Sequence, residues 1–288
     1  MYPGCVMPTE QFGYELSLRA VLPQFGIDLV EVEGFSCCGE PLKSVNQMLT
    51  LHLSARNLAL CEKAGLDVLA PCPMCHLALS EAKSVLASNK DLRERVRAKL
   101  AEEGLDYKGT SKLYHTIDLL TDVVGIDKIK AKVTKPLNGV NLATHYGCHI
   151  IRPSLLGRPQ DAEDPQGMEK IITAIGGKSD HYPEKLDCCG GPLLPNHPDT
   201  AVTKTGEKLK AVQERGFDGM VLACPWCQKM FDSKQKKGGE VVGAQLNVPV
   251  VYLTHLLGIA MGMEASKLGL DLNQSPVDKL LEKMGAPQ

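Results

Sequence analysis

The pattern of this chain predicts an α/β protein of two tandem homologous halves, each a small, mostly parallel sheet with helices. Three observations lead there. Ten of the 11 cysteines form two sets in the same order: Cys5, Cys37-Cys38, Cys72 and Cys75, then Cys148, Cys188-Cys189, Cys224 and Cys227. The residues around them repeat as well. Within each set, short apolar runs of buried-strand type alternate with longer stretches of helical spacing, the signature of strand–helix units.

The repeat is close. From single cysteine to doublet the gaps are 31 and 39 residues, and from doublet to CxxC 33 and 34. Tyr2-Pro3-Gly4-Cys5 matches Tyr146-Gly147-Cys148, and Cys37-Cys38-Gly39-Glu40-Pro41-Leu42 matches Cys188-Cys189-Gly190-Gly191-Pro192-Leu193. Ala70-Pro71-Cys72-Pro73-Met74-Cys75 matches Ala223-Cys224-Pro225-Trp226-Cys227, and Tyr114-His115-Thr116 matches Tyr252-Leu253-Thr254. Units of roughly 140 residues are far longer than solenoid repeats, so this is a duplicated domain. The halves are expected at 1–136 and 137–288.

In the first half, 9–25 has helical spacing and 27–32 a strand-like alternation. The doublet loop, with Gly34 and Gly39-Glu40-Pro41, is irregular. A helix is expected over 44–64 and a buried strand over 66–70. Pro73 then occupies the first turn of a third helix, where its missing N–H costs nothing. The second half repeats the order: strand 140–144, helix 167–175, doublet, helix 200–215, strand 220–223, and a helix from Pro225. The charged segment 101–135 joins the halves, and its helix, 114–124, is expected to pack onto the first. Val140 to Thr144 leads into Tyr146-Gly147-Cys148, whereas only Met1 precedes Tyr2. The first half is therefore expected to lack its leading strand, or Met1 is a late start.

Composition narrows the function. With 43% hydrophobic residues the chain can bury a full core without disulfide staples. A formal net charge of -2 gives no reason to expect nucleic-acid binding. Met1 leads directly into Tyr2-Pro3-Gly4-Cys5 with no signal peptide, and the apolar stretch 248–263 is short for a span and holds His255, Gly258 and Gly262. A cytoplasmic protein without a membrane span is expected. In a reducing compartment many cysteines point to metal or redox chemistry rather than disulfides.

The cysteines suit iron–sulfur centres. A CxxC opening a helix aims two thiolates at one point, beside free N–H groups and partial positive charge. Adjacent cysteines diverge in regular structure and converge only on an irregular loop, which Gly39 and Gly190 permit. Five thiolates per set exceed the four of tetrahedral zinc or an ordinary cube, which suggests an unusual cluster or a ligand that can leave. A lone CxxC would also suit a thioredoxin-like dithiol, and one cluster plus one zinc is the alternative for the pair. Cys61, in a helical stretch, reads as a small buried apolar residue.

These motifs resemble the CCG-domain family. Tyr146-Gly147-Cys148-His149 with Arg152-Pro153, and Cys37-Cys38-Gly39-Glu40-Pro41-Leu42-Lys43, are most similar to the B-subunit type of heterodisulfide reductase. The resemblance implies an oxidoreductase of methanogenesis that cleaves the disulfide of coenzymes M and B between two noncubane [4Fe-4S] clusters. All ten cysteines would be ligands. It further implies an iron–sulfur C subunit and a flavin-containing A subunit as electron-transfer partners, with a hydrogenase or formate dehydrogenase as a further member. The clusters themselves would be the catalysts. His76, His149, Lys43 and Arg152 lie beside ligands and could donate a proton or bind a substrate anion, though the histidines read equally as packing residues. Trp226 either shields the second cluster or fills core. Lys234, Lys236 and Lys237 read as a solvated face. Rival readings are another redox complex with the same clusters (a quinone reductase or a sulfur-oxidising system) and a non-catalytic electron-transfer or zinc module.

Overall fold

The computed structural model describes residues 1–156 and 161–286, so 157–160 and 287–288 of the expected second half lie outside the description. Five short strands, all parallel, form two sheets. In the first half, β1 (Val68–Leu69) pairs with β2 (Leu113–Tyr114). In the second, β3 (Leu142–His145), β4 (Gly219–Leu222) and β5 (Val250–Tyr252) lie in the order β3-β4-β5. Every residue of β3, β4 and β5 is buried, as expected of a parallel sheet covered on both faces.

The missing leading strand is visible in the hydrogen bonds. Tyr2 N–H donates to Leu69 O at 2.8 Å, the only rung beside β1 on that side among the described residues, while β3 fills the same place in the second half with four residues. Residues 27–32, expected as a strand, do not form one: among the described residues no parallel partner stands beside them, and the Met1 amine donates to Val30 O at 2.9 Å. In the second half the equivalent stretch bridges Asn141 to Lys178.

The expected helix over 9–25 is broken. A short helix, Met7–Glu10, ends at Gln11, whose backbone is non-helical and whose side-chain oxygen accepts from Tyr252 O–H at 2.9 Å. The helix Phe12–Val21 follows and runs into a 3₁₀ turn, Leu22–Phe25, ended by Gly26 at φ 75°. The helices Gln47–Lys63, Pro73–Ser88, Gly167–Ala174 and Pro198–Glu214 stand where expected. The Asn46 side chain caps the first of these by accepting from Leu49 N–H at 3.0 Å. The helix expected from Pro225 is three pieces: Pro225–Gln228, a π turn Lys229–Ser233, and Gln235–Val242.

The halves exchange helices. Phe12–Val21 of the first half packs on Leu253–Ala260 of the second: Tyr14 and Tyr252 stack with centroids 4.1 Å apart, and the Ser17 and Thr254 hydroxyls lie at 2.6 Å. Reciprocally, Thr116–Asp118 with its π turn Leu119–Val124 packs on Gly167–Ala174. A Cβ on Gly167 would sit 3.0 Å from Ile117 Cγ2. The segment expected to pack onto the first half therefore joins the core of the second: Ile117, Leu119, Leu120 and Val124 share a cluster with Met168, Ile171 and Ile172. There these residues help cover the apolar face of Gly167–Ala174, as the second half covers that of Phe12–Val21.

Candidate metal centre

Each doublet sits on a turn that only glycine can make. Gly39 has φ +88° and Gly190 φ +85°; a Cβ would lie 2.8 Å from Thr50 Cα in one and 2.4 Å from Ala201 O in the other. The turn aims backbone donors at sulfur: Gly39 N–H at Cys37 Sγ (3.4 Å), Gly190 N–H at Cys188 Sγ (3.4 Å) and Gly191 N–H at Cys189 Sγ (3.3 Å). A hydroxyl from the following helix braces each loop. Ser54 donates to Cys38 O and Thr205 to Cys189 O, both at 2.8 Å.

Each CxxC opens a helix directly after a strand, with Cys72 and Cys224 at the N-cap. Cys224 Sγ accepts from Cys227 N–H at 3.4 Å. The leading glycines let the chain pass close to the sulfurs: a Cβ on Gly4 would be 3.0 Å from Cys75 Sγ, and one on Gly147 3.5 Å from Cys227 Sγ.

The five thiols of each set lie near enough to shift one another's ionisation, in sequence. In the first half this links Cys5 to Cys37, Cys37 to Cys38, Cys38 to Cys75, and Cys75 to Cys72. In the second, Cys148, Cys188, Cys189, Cys227 and Cys224 follow the same order. Cys72 and Cys224 shift one another too, so the mutual influence crosses from one set to the other. Thiol donors pull Cys37 (from Cys38, then Cys5) and Cys188 (from Cys148, then Cys189) far below the ordinary thiol range. Cys5 and Cys148, which donate to them, are pushed up. The inner sulfurs are buried; Cys5 is exposed, and Cys37, Cys148 and Cys188 are half-buried, so each set opens to solvent at one end. Cys61 is buried away from them, its thiol raised to about 11 by burial.

This donor set fits an iron–sulfur group. Ten of the thiols stand on two matching frames, each a glycine turn and a helix start, the turn amides point at sulfur, and no thiol is spent in a disulfide. His145, Cys189 and Cys227 also lie within 4.8 Å of one another through their ligating atoms.

Three residues at the centre, His145, Lys208 and His115, carry no role legible in the sequence, although His115 lies inside a repeated motif. His145 Nε2 is 3.2 Å from Cys227 Sγ, and its Nδ1 lies 2.8 Å from the ammonium of Lys208. Lys208 is buried and also donates to Lys185 O at 2.9 Å and Asp187 O at 3.0 Å. Burial lowers Lys208 to about 8, and burial with the Lys208 charge holds His145 well below the ordinary imidazole range. His115 Nε2 forks between Pro71 O (2.9 Å) and Ala223 O (3.1 Å), tying together the strand ends that lead into both CxxC turns. The signal for all three lies in differences between the repeats: counted back from Gly4 and Gly147, His145 stands opposite Tyr2, and His115 stands opposite Leu253 and Lys208 opposite Asn57.

The residues singled out in sequence divide. His149 Nδ1 is 3.1 Å from Cys148 Sγ. His76 is buried, with Nδ1 3.1 Å from Ser80 Oγ and its ring edge-on to His115 at 6.0 Å. Lys43 pairs closely with Glu81 and lies 3.7 Å from Glu40. It lines a cavity of about 580 Å³ with Met48, Glu81, Val85, Pro153 and Leu155. Arg152 is exposed, 3.6 Å from Glu163. Trp226 packs against the hydrophobic clusters of both halves. Lys236 and Lys237 are exposed and Lys234 half-buried.

Known proteins share these features. The model of a cysteine-rich domain family, CCG, matches residues 1–80 and 142–232. The chain is 33% identical over 277 residues to the B subunit of the ferredoxin:CoB-CoM heterodisulfide reductase of Methanosarcina mazei, covering 95% of this chain and 92% of that protein. It is 32% identical over 280 residues to the 8-methylmenaquinol:fumarate reductase membrane anchor subunit of Wolinella succinogenes, covering 97% of each. A crystal structure of a hypothetical protein from Helicobacter pylori matches with a TM-score of 0.76 at 18% identity, over 92% of this chain and 49% of that one, so this chain spans about half its length. That likeness concerns the fold alone. No helix among the described residues is long and apolar enough to cross a membrane.

Proposed function

The chain belongs to the cysteine-rich CCG-domain family, and we propose that it is the catalytic subunit of a heterodisulfide reductase, splitting the CoM-S-S-CoB disulfide into two thiols. The observation that carries this reading is the pair of five-cysteine frames set side by side: His115 bridges Pro71 O and Ala223 O, and a Cβ on Gly147 would lie 3.7 Å from Pro73 Cγ and 3.9 Å from Cys224 Cβ. Cys5, Cys37, Cys38, Cys72 and Cys75 would hold one noncubane [4Fe-4S] cluster, in a domain over 1–136. Cys148, Cys188, Cys189, Cys224 and Cys227 would hold the other, in a domain over 137–288. Each cluster, when bound, supplies one electron, and a disulfide needs two.

The protein's part is positioning and protection. The Gly39 and Gly190 turns orient adjacent sulfurs, and their amides stabilise negative charge on them. Trp226 and the buried inner cysteines exclude water from the join between the sets. The open ends, at Cys5 and Cys37 and at Cys148 and Cys188, leave room for an approaching disulfide. His149, beside Cys148, is the residue placed to pass a proton to a leaving thiolate, while Lys43 is the better placed cation for a substrate anion. Electrons would arrive from an iron–sulfur C subunit and a flavin-containing A subunit, in the reducing cytoplasm where thiolates persist.

A second reading has a specific support, the Wolinella succinogenes relative, whose name couples a quinol to fumarate. One experiment separates them. The protein is purified without oxygen, and iron, sulfide and zinc are counted. About eight irons and eight sulfides per chain are expected for two four-iron clusters. CoM-S-S-CoB and a menaquinone analogue are then added separately to the reduced protein. Reoxidation by the disulfide alone supports the reductase; reoxidation by the quinone alone supports the second reading; about four irons plus one zinc ends the paired mechanism.

A further inference from the structure

The two thiol sets differ in what surrounds them. In the second half, Lys208 has three acceptors at 2.8–3.0 Å for the three hydrogens of an ammonium: His145 Nδ1, Lys185 O and Asp187 O. Because Nδ1 of His145 accepts from that cation, the ring hydrogen resides on Nε2, 3.2 Å from Cys227 Sγ. The ring is further held by Phe231, edge-on at 4.8 Å. An N–H is thus aimed at one sulfur of the second set, with a buried positive charge directly behind it.

The first half has neither part at the matching places. Gly4 and Gly147 each pass beside the second sulfur of a CxxC, so two residues back Tyr2 takes the position of His145, and its hydroxyl donates to Ser36 O at 2.7 Å rather than to a sulfur. Ser54 and Thr205 make the same bond to the second cysteine of each doublet, so Asn57, three residues on, takes the position of Lys208. Asn57 is neutral and spends its amide on Tyr2 Oη, Ser36 O and Cys37 O at 3.2–3.4 Å. The first doublet loop carries Glu40 and Lys43, which pair with each other and with Glu81 of the helix Pro73–Ser88, two acids to one base, while Arg56 bonds Gly34 O before the doublet.

We propose that His145, oriented by Lys208, is a positioning residue that makes the cluster of the second half the more easily reduced of the two, so that the first electron entering the protein resides there. A hydrogen bond to a ligand sulfur and a nearby positive charge both stabilise the reduced, more negative state of an iron–sulfur centre. The inference rests on the two-cluster reading given above.

The test uses the full chain, purified without oxygen and titrated potentiometrically with dithionite, with each cluster followed by its paramagnetic spectrum and iron counted throughout. Two midpoints are expected. Cys37→Ser, which removes a first-half ligand, should retain the more positive one. His145→Leu and Lys208→Met should each lower that midpoint by at least a tenfold change in the one-electron equilibrium, about 59 mV, and leave the other in place. Unshifted midpoints in both variants at full iron content would overturn the proposal, as would retention of the more negative midpoint in Cys37→Ser. Loss of second-half iron from both His145→Leu and Lys208→Met would make His145 a ligand and overturn its positioning role. If the unmodified protein holds fewer than two clusters, the function reading itself falls, a result seen in the iron count before any midpoint is measured.

Discussion

The two halves carry the same cysteine frame in unequal settings. Both doublets stand on a left-handed glycine turn, and a hydroxyl of the next helix braces each from behind. Around that common frame the first half has two strands and the second three. The second half alone sets the His145–Lys208 pair behind its sulfurs, and the exchanged helices differ too. His255 faces Gly13 O at 3.2 Å on one side, while Ile117 packs against Gly167 on the other. What duplicated chemistry demands stays the same; what tunes or packs it has diverged.

The largest effect should come from breaking one frame and sparing the other. Cys37→Ser and Cys188→Ser each remove the thiol that two neighbours address. Each is expected to cut iron from about eight to about four per chain, measured on anaerobically purified protein. Loss of all iron from either variant would show that the halves assemble as one site.

A smaller effect tests the shared turn. Gly39→Ala and Gly190→Ala force a left-handed backbone on alanine and a Cβ into backbone atoms. A loss of about 2–4 kcal/mol is expected for each, larger at Gly190 because its contact is tighter. Urea unfolding of the two variants checks the order, and equal losses would deny the difference between the turns.

The exchanged helices predict an uneven response to acid. Burial lowers His255 from 6.5 to about 4. The unfolded chain therefore binds a proton between those values that the folded chain refuses. Stability from this residue is fully present above pH 6.5 and declines as pH falls toward 4, by up to about 3 kcal/mol. His255→Asn should flatten the slope of unfolding free energy against pH over that window, whereas Ile117→Val, at the matching place in the other pair, should leave the slope alone.

The smallest effects are expected off the frame. Arg152→Ala removes an exposed ion pair and should change stability by no more than about 0.5 kcal/mol. Cys61→Ala should leave the iron count unchanged; a fall would bring this eleventh cysteine into the site.

Much was legible in the residues because the determinants are local. Gly39 and Gly190 follow their doublets directly, Pro73 and Pro225 follow the N-cap cysteines, and the apolar runs that became β1 and β4 precede each CxxC. Family and fold class follow from that local grammar. Helix continuity was less legible: 9–25 breaks because Gln11 is engaged by Tyr252, a residue 241 positions away. Residues 27–32 have a strand's alternation but no partner, and alternation alone does not supply one.

By itself, then, the sequence determined two five-cysteine frames, their turns and their helix starts, since each is set by residues within a few positions of one another. Only the tertiary structure decided that the two CxxC turns lie side by side, that the halves exchange helices, and that Lys208 reaches His145 across 63 positions. These are long-range choices. They depend on which buried face finds cover and which buried polar atom finds a partner, and a reading of neighbours along the chain has no access to either.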